Sequence, residues 1–265
     1  MLVMTYCEFA RVEELFLYKK QGLNLEFFPG YTLDQWGIKA HNRPWIEDRG
    51  QFSKGQKIIE VGGAYSLLPK YLSEKYELEA WIGDDFGIDS EEEENWSRWG
   101  NPILLPERYP MIKYVFKKFG FFSPEFPDKY FDKIFSVSTL EHIPDRHRLS
   151  VFQDMHRCLN NGGMELHTID IGIPNLKNVF IAGFLDKVPF LRNKLTVNFT
   201  EITHWIDLIK NSGVKIECAT PNPIHLLDRG TLVESPDVIY RFYPPNDSPK
   251  LYNPSASLLV IIEDR

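Results

Sequence analysis

The sequence predicts an α/β protein: a doubly wound, mostly parallel sheet of seven strands, with an antiparallel last strand and helices on both faces. Three observations carry this. Lys57-Ile58-Ile59-Glu60-Val61 reads as a buried strand that runs through Gly62-Gly63-Ala64-Tyr65-Ser66 into an apolar helix pattern. From there strand-like and helix-like segments alternate, the pattern of a parallel sheet. The final strand follows a long Pro-rich connection and is free to enter antiparallel.

The elements follow in order. Residues 1–50 are expected to form an N-terminal helical extension or lid, with Val12, Leu15, Phe16 and Lys19 as a short helical stripe. Phe28-Pro29-Gly30 and Asn42-Arg43-Pro44 read as turns. The main domain is expected over 51–265. Its strands are placed at 57–62, 78–83, near 119–122, and at 131–137, 164–169, 213–219 and 256–263. Helices follow Ser66, run from about 145 to Leu159, and cover about 200–212. Asn160-Asn161-Gly162-Gly163 is a helix stop. Insertions are expected at 171–200 and 221–255. With residues 1–50 they supply aromatic walls: Trp36, Trp45, Phe180, Phe184, Phe190 and Trp205. Core packing explains the same aromatics. The acidic run 89–94 reads as a solvated helix start.

The chain carries a net charge of −7, with 43% hydrophobic and 25% charged residues. That balance suits a small-molecule partner better than nucleic acid. No apolar run reaches membrane-span length, and the N-terminus does not read as a signal peptide. Cys7, Cys158 and Cys218 are widely spaced and odd in number, which suits a reducing cytoplasm.

In a doubly wound sheet, ligands bind at the carboxyl ends of the strands, where the strand order reverses. Four such ends are polar or small here: Glu60 to Ser66, Gly83 to Asp85, Ser136 to His142, and His167 to Asp170. Small residues at the strand–helix turn let a ligand approach the backbone, and the helix start offers free N–H groups. Asp84 and Asp85 lie about 20 residues on, where an acid can hold ribose hydroxyls. A dinucleotide would ask for a later glycine in the loop. Glu60 would also repel a pyrophosphate, and it suits a cationic ligand better.

Glu60-Val61-Gly62-Gly63-Ala64-Tyr65-Ser66, Gly83-Asp84-Asp85, Phe131 through Asp145, and Arg157 through Gly163 together resemble the class I S-adenosylmethionine-dependent methyltransferases of small molecules. The resemblance implies S-adenosyl-L-methionine as cofactor. Glu60, Gly62, Gly63 and Ala64 would then line its methionine part. Asp85, with Asp84 as alternative, would hold the ribose, and Gly120 and Phe121 would flank the adenine. Ser136 and Ser138 would lie beneath the sulfonium, with Leu140, Glu141 and His142 near the acceptor. Ala64 replaces a family glycine, and no acid stands near Lys118 to Phe122 for the adenine amine. Ser138 occupies the position of a metal-binding carboxylate in some relatives, so no metal is expected.

His142, His167 and His204 are candidate general bases, the first two preferred because they end strands. Structural roles for each histidine, and a helix-orienting role for Glu141, stand beside that reading. The strand-end histidines give a slight preference for an oxygen acceptor. A nucleotide-dependent oxidoreductase of the same fold class and a non-catalytic binding module are the rival readings.

Overall fold

The computed structural model describes residues 1–21, 37–86, 100–172, 199–218, 231–234 and 255–265. Among the described residues, nine strands form one sheet. They are β1 (Leu2–Phe9), β2 (Lys57–Val61), β3 (Glu79–Gly83), β4 (Ile112–Val115), β5 (Phe131–Val137), β6 (Leu159–Gly172), β7 (Lys215–Ile216), β8 (Val233–Glu234) and β9 (Ser255–Asp264). The order along the sheet is β4-β3-β2-β5-β6-β9-β1-β7, with β8 paired to β9. Strands β4 through β6 are parallel, and β9 runs antiparallel to both β6 and β1. The chain moves outward from β2 to β4 and then returns to β5. The order therefore reverses between β2 and β5, and a crevice opens at their carboxyl ends.

The helices are α1 (Val12–Lys20), α2 (Gly37–Gly50), α3 (Leu68–Tyr76), α4 (Leu105–Arg108), α5 (Asp145–Cys158) and α6 (Phe199–Asn211). No helix among the described residues is long and apolar enough to cross a membrane. Strand alternation sorts the core into two layers. Along β9, Leu258, Val260 and Ile262 pack with Phe152 and Met155 of α5 and Trp205 of α6. Leu259 and Ile261 face the other way, with Leu15 of α1, Trp45 and Ile46 of α2, and Leu72 of α3. Trp45 and Trp205 are thus core residues, with no exposed surface. Trp36, Phe180, Phe184 and Phe190, the acidic run, and most of the two expected insertions lie outside the described residues.

Four expectations change. The N-terminus is not purely helical: Leu2–Phe9 is a strand inside the sheet, its buried Val3, Met4, Cys7 and Phe9 packing between β9 and β7. Asn42-Arg43-Pro44 is no turn but the middle of α2, whose Trp45 and Ile46 are wholly buried; burial of that face overrides the helix-breaking preference of Pro44. The third parallel strand lies at Ile112–Val115, not near 119–122. Asn160 to Gly163 open β6 in an irregular register opposite β5 instead of capping a helix; α5 has already ended at Cys158.

Candidate functional site

The loop after β2 is built around backbone strain. Gly62 has φ 65 and Ala64 has φ 44, both left-handed. A side chain at Gly62 would put Cβ 2.0 Å from Cγ2 of Thr139, the residue that donates its hydroxyl to the Gly62 carbonyl across the crevice at 3.2 Å. A Cβ at Gly63 would come 3.0 Å from Glu60 Cγ. Ala64 is held in a glycine-like conformation by its N–H, which donates to Asp84 Oδ2 at 2.9 Å. The second Asp84 oxygen accepts from Phe86 N at 2.6 Å. Asp84 is therefore a clasp between two strand ends. Burial lifts its carboxyl to about 6, against the lowering effect of those two N–H donors. Asp85 instead pairs with Lys118 Nζ at 2.7 Å, with its side chain 11% exposed.

Glu60, the last residue but one of β2, lies on the α2 face and is 3% exposed. Burial pushes its carboxyl up to about 7, opposed by a hydrogen bond from Ser66 and the charge of Arg43 in α2. Its Oε2 has no hydrogen-bond partner among the described residues. A buried, unpartnered carboxylate oxygen is costly unless a cation or donor comes to it. These features, an orphaned acid beside a turn whose two glycines leave no room for a side chain, fit a cationic ligand lying against the β2 turn.

Beyond β4 the chain runs Phe116-Lys117-Lys118, and the Phe116 ring lies 5.5 Å from that of Phe86, itself 5.5 Å from Tyr65. These three rings form an aromatic wall beside the carboxyl ends of β2, β3 and β4. Gly120 and Phe121 lie farther along. The Gly120 and Phe122 N–H groups donate to Asp154 of α5 at 2.8 and 3.0 Å, and Phe121 is 67% exposed. The alternation Ile112-Lys113-Tyr114-Val115 was the signal for the true strand end.

At β5 and β6 the period of two separates the expected residues. Ser136, Glu165 and His167 point to the α5 face. Ser136 Oγ is 2.9 Å from His167 Nδ1, and Glu165 Oε2 is 3.3 Å from both His167 Nε2 and His156 Nε2. His167 has no exposed surface. This pair of predicted site residues is a core network, away from the crevice.

Ser138, Asp170 and Ser257 form a second cluster, on the side where α2 packs against β5, β6 and β9. Ser138, left-handed at φ 49, donates to Asp170 Oδ1 at 3.1 Å; Ser257 Oγ donates to the same oxygen at 3.3 Å. Asn42 Nδ2 of α2 donates to Ser257 Oγ at 2.8 Å and to Ser138 Oγ at 3.3 Å. Leu140–His142 form a short 3-10 turn, with the Glu141 side chain 11% and that of His142 79% exposed, 3.7 Å apart. His204 sits away from these, against Asp145. Arg43 and Asn42 were missed because Pro44 made their segment read as a turn.

Residues 107–166 match the family described as "Methyltransferase domain". Nothing matches among curated protein sequences. Among solved structures, the chain is similar to phosphoethanolamine N-methyltransferase 2 of Haemonchus contortus in complex with phosphomonomethylethanolamine and S-adenosylhomocysteine, at 15% identity and TM-score 0.46, over 95% of this chain and 56% of that one. It is also similar to the YcgJ protein of Bacillus subtilis, at 12% identity and TM-score 0.44, over 85% of this chain and 99% of that one. The match to the methyltransferase domain family falls on the segment that carries β4, β5, α5 and the start of β6 of this sheet.

Proposed function

We propose that this chain is a class I S-adenosylmethionine-dependent methyltransferase, and that it transfers the methyl group of S-adenosyl-L-methionine to a small-molecule acceptor in the cytoplasm. The observation that carries the cofactor's placement is the orphaned Glu60 carboxylate beside the Gly62–Ala64 turn. Glu60, Gly62, Gly63 and Ala64 hold the methionine part. Asp85 holds the ribose, because Asp84 is already committed to two backbone donors. Phe116 and Phe86 face the adenine in place of Gly120 and Phe121. When bound, the cofactor supplies an electrophilic methyl on a cationic sulfur. The chain's part is to align the acceptor, exclude water and receive a proton.

Residues 37–50 form a fixed wall over this site. Glu47 of α2 accepts hydrogen bonds from Tyr71 and Tyr76, which ties the helix to α3. The net charge of −7 and three free thiols support a small-molecule acceptor and a reducing compartment.

An oxygen acceptor is the second reading. Of the two strand-end histidines that favoured it, His167 is enclosed with Ser136 and Glu165, leaving the Glu141–His142 pair to support it. The test is transfer of label from methyl-labelled S-adenosylmethionine to an extract's small-molecule fraction. Label should appear in small molecules and be lost in Glu60→Ala; label only in protein or nucleic acid would refute the acceptor class.

A further inference from the structure

We propose that Asp170, braced by Ser138 and Ser257, is the acceptor-binding carboxylate, and that the acceptor is an amine that arrives as its ammonium ion. The inference rests on the methyltransferase reading and adds the substrate class. Three observations lead to it.

First, Asp170 and Glu60 share a face. Along β6, Leu166 packs in the α2-side core while Ile169 and Ile171 pack in the α5-side core, so Asp170 projects toward α2 with Glu60. His167 projects the other way, into its own network. Second, the carboxylate is aimed. Its Oδ1 accepts from two hydroxyls, at 3.1 Å from Ser138 and 3.3 Å from Ser257, and Asn42 donates to both of those hydroxyls. Such a chain fixes the carboxylate's position. Third, Ser138 holds a left-handed backbone at the β5 end. For a non-glycine residue that costs about 1–3 kcal/mol and is kept where the position of a group matters. Its amide donates to the Thr168 carbonyl at 2.9 Å, which locks β5 to β6 beside Asp170.

A carboxylate held by hydroxyls selects a cation with N–H donors. It gives an alcohol only one hydrogen bond and repels an anionic nucleophile. The ammonium binds Asp170 and gives up one proton through it to solvent. The freed lone pair takes the methyl, and the electron pair of the broken carbon–sulfur bond stays on sulfur. The methylated nitrogen then sheds its second proton by the same carboxylate.

Sinefungin tests this without knowing the acceptor. It carries an amine-bearing carbon where S-adenosylmethionine has its methyl-bearing sulfur, so its extra ammonium occupies the transfer position. Its dissociation constant is compared with that of S-adenosylhomocysteine by calorimetry. The wild type should bind sinefungin about tenfold more tightly. Asp170→Asn should bring that ratio to about one while leaving S-adenosylhomocysteine affinity within about twofold. Ser257→Ala, which removes one brace, should give an intermediate ratio. A wild-type ratio near one overturns the inference. So does a ratio that survives Asp170→Asn, or one that collapses with Glu141→Gln instead. Failure of the wild type to bind S-adenosylhomocysteine would overturn the cofactor reading itself, a different result from an unfavourable ratio.

Discussion

Glu60 links the sequence to the chemistry most tightly. Its carboxyl, lifted to about 7 by burial, is part-protonated near neutrality in the empty protein. For an acid, a raised folded pKa means that ionisation costs stability. That cost is absent below the unfolded value of 4.5 and grows as pH climbs through about 7. A cationic ligand reverses the preference. Binding of S-adenosylmethionine should therefore release protons at about pH 6.5 and almost none at about pH 8.5, read as a difference in apparent heat between buffers of unequal ionisation enthalpy. Glu60→Gln should abolish the release; unchanged release would assign the proton elsewhere. At the loop, Gly62→Ala should cost about 1–2 kcal/mol of backbone strain beside a clash with Thr139, and weaken S-adenosylhomocysteine binding, with part of the loss restored by Thr139→Ser. Asp84→Asn should mainly lower thermal stability, since an amide cannot accept from both Ala64 and Phe86 with its two ends. Asp85→Asn should mainly lower cofactor affinity, and the reverse pattern would exchange their roles. The acid pair was legible in the sequence from its distance to the glycine turn. The division of labour between its members was not, because it depends on which carboxylate reaches the backbone of a loop 20 residues away.

At the scale of elements, α5, β5 and β6 are pinned together by Glu165, His156, His167 and Ser136. Burial alone would raise the Glu165 carboxyl, but the His156 charge and the hydrogen bonds of both imidazoles bring it down to about 2. The same ion pair lifts His156 above its usual value despite burial. The Glu165 contribution is complete above about 4.5 and is lost as pH falls toward about 2; that of His156 is complete below about 6.5 and fades as pH rises past its lifted value. Chemical denaturation should thus find this contribution largest between about pH 4.5 and 6.5. Glu165→Ala should lose about 3–5 kcal/mol there and leave S-adenosylhomocysteine affinity unchanged in the folded protein. The histidine at a strand end looked catalytic because position along a strand is readable in sequence. The face it occupies is set by register, although His167 and Asp170, three residues apart, could never share one. β4 was misplaced for a related reason: four residues with one exposed lysine give less signal than the phenylalanine-rich stretch that follows. Asp154 holds that stretch in a turn instead.

At the scale of the molecule, the parallel half of the sheet and its strand-end crevice were legible because the order of strands and helices dictates them. The N-terminal strand was not. Its pairing with β9 joins residues at opposite ends of the sequence, and only those partners make a strand preferable to a helix. β1 covers the edge of β9 and seats β7 beside it. Met4→Ala, at a fully buried position of that strand, should cost about 2–5 kcal/mol by denaturation. Wild-type stability in that variant would mean that β1 is peripheral.

The proposed methyl transfer depends above all on a cofactor site built from Glu60, the Gly62–Ala64 turn and Asp85. Calorimetric titration of the full chain with S-adenosylhomocysteine tests it directly. Saturable, one-to-one binding is expected, weakened about tenfold or more by Asp85→Asn. Absence of binding at millimolar ligand to the folded wild type would contradict it.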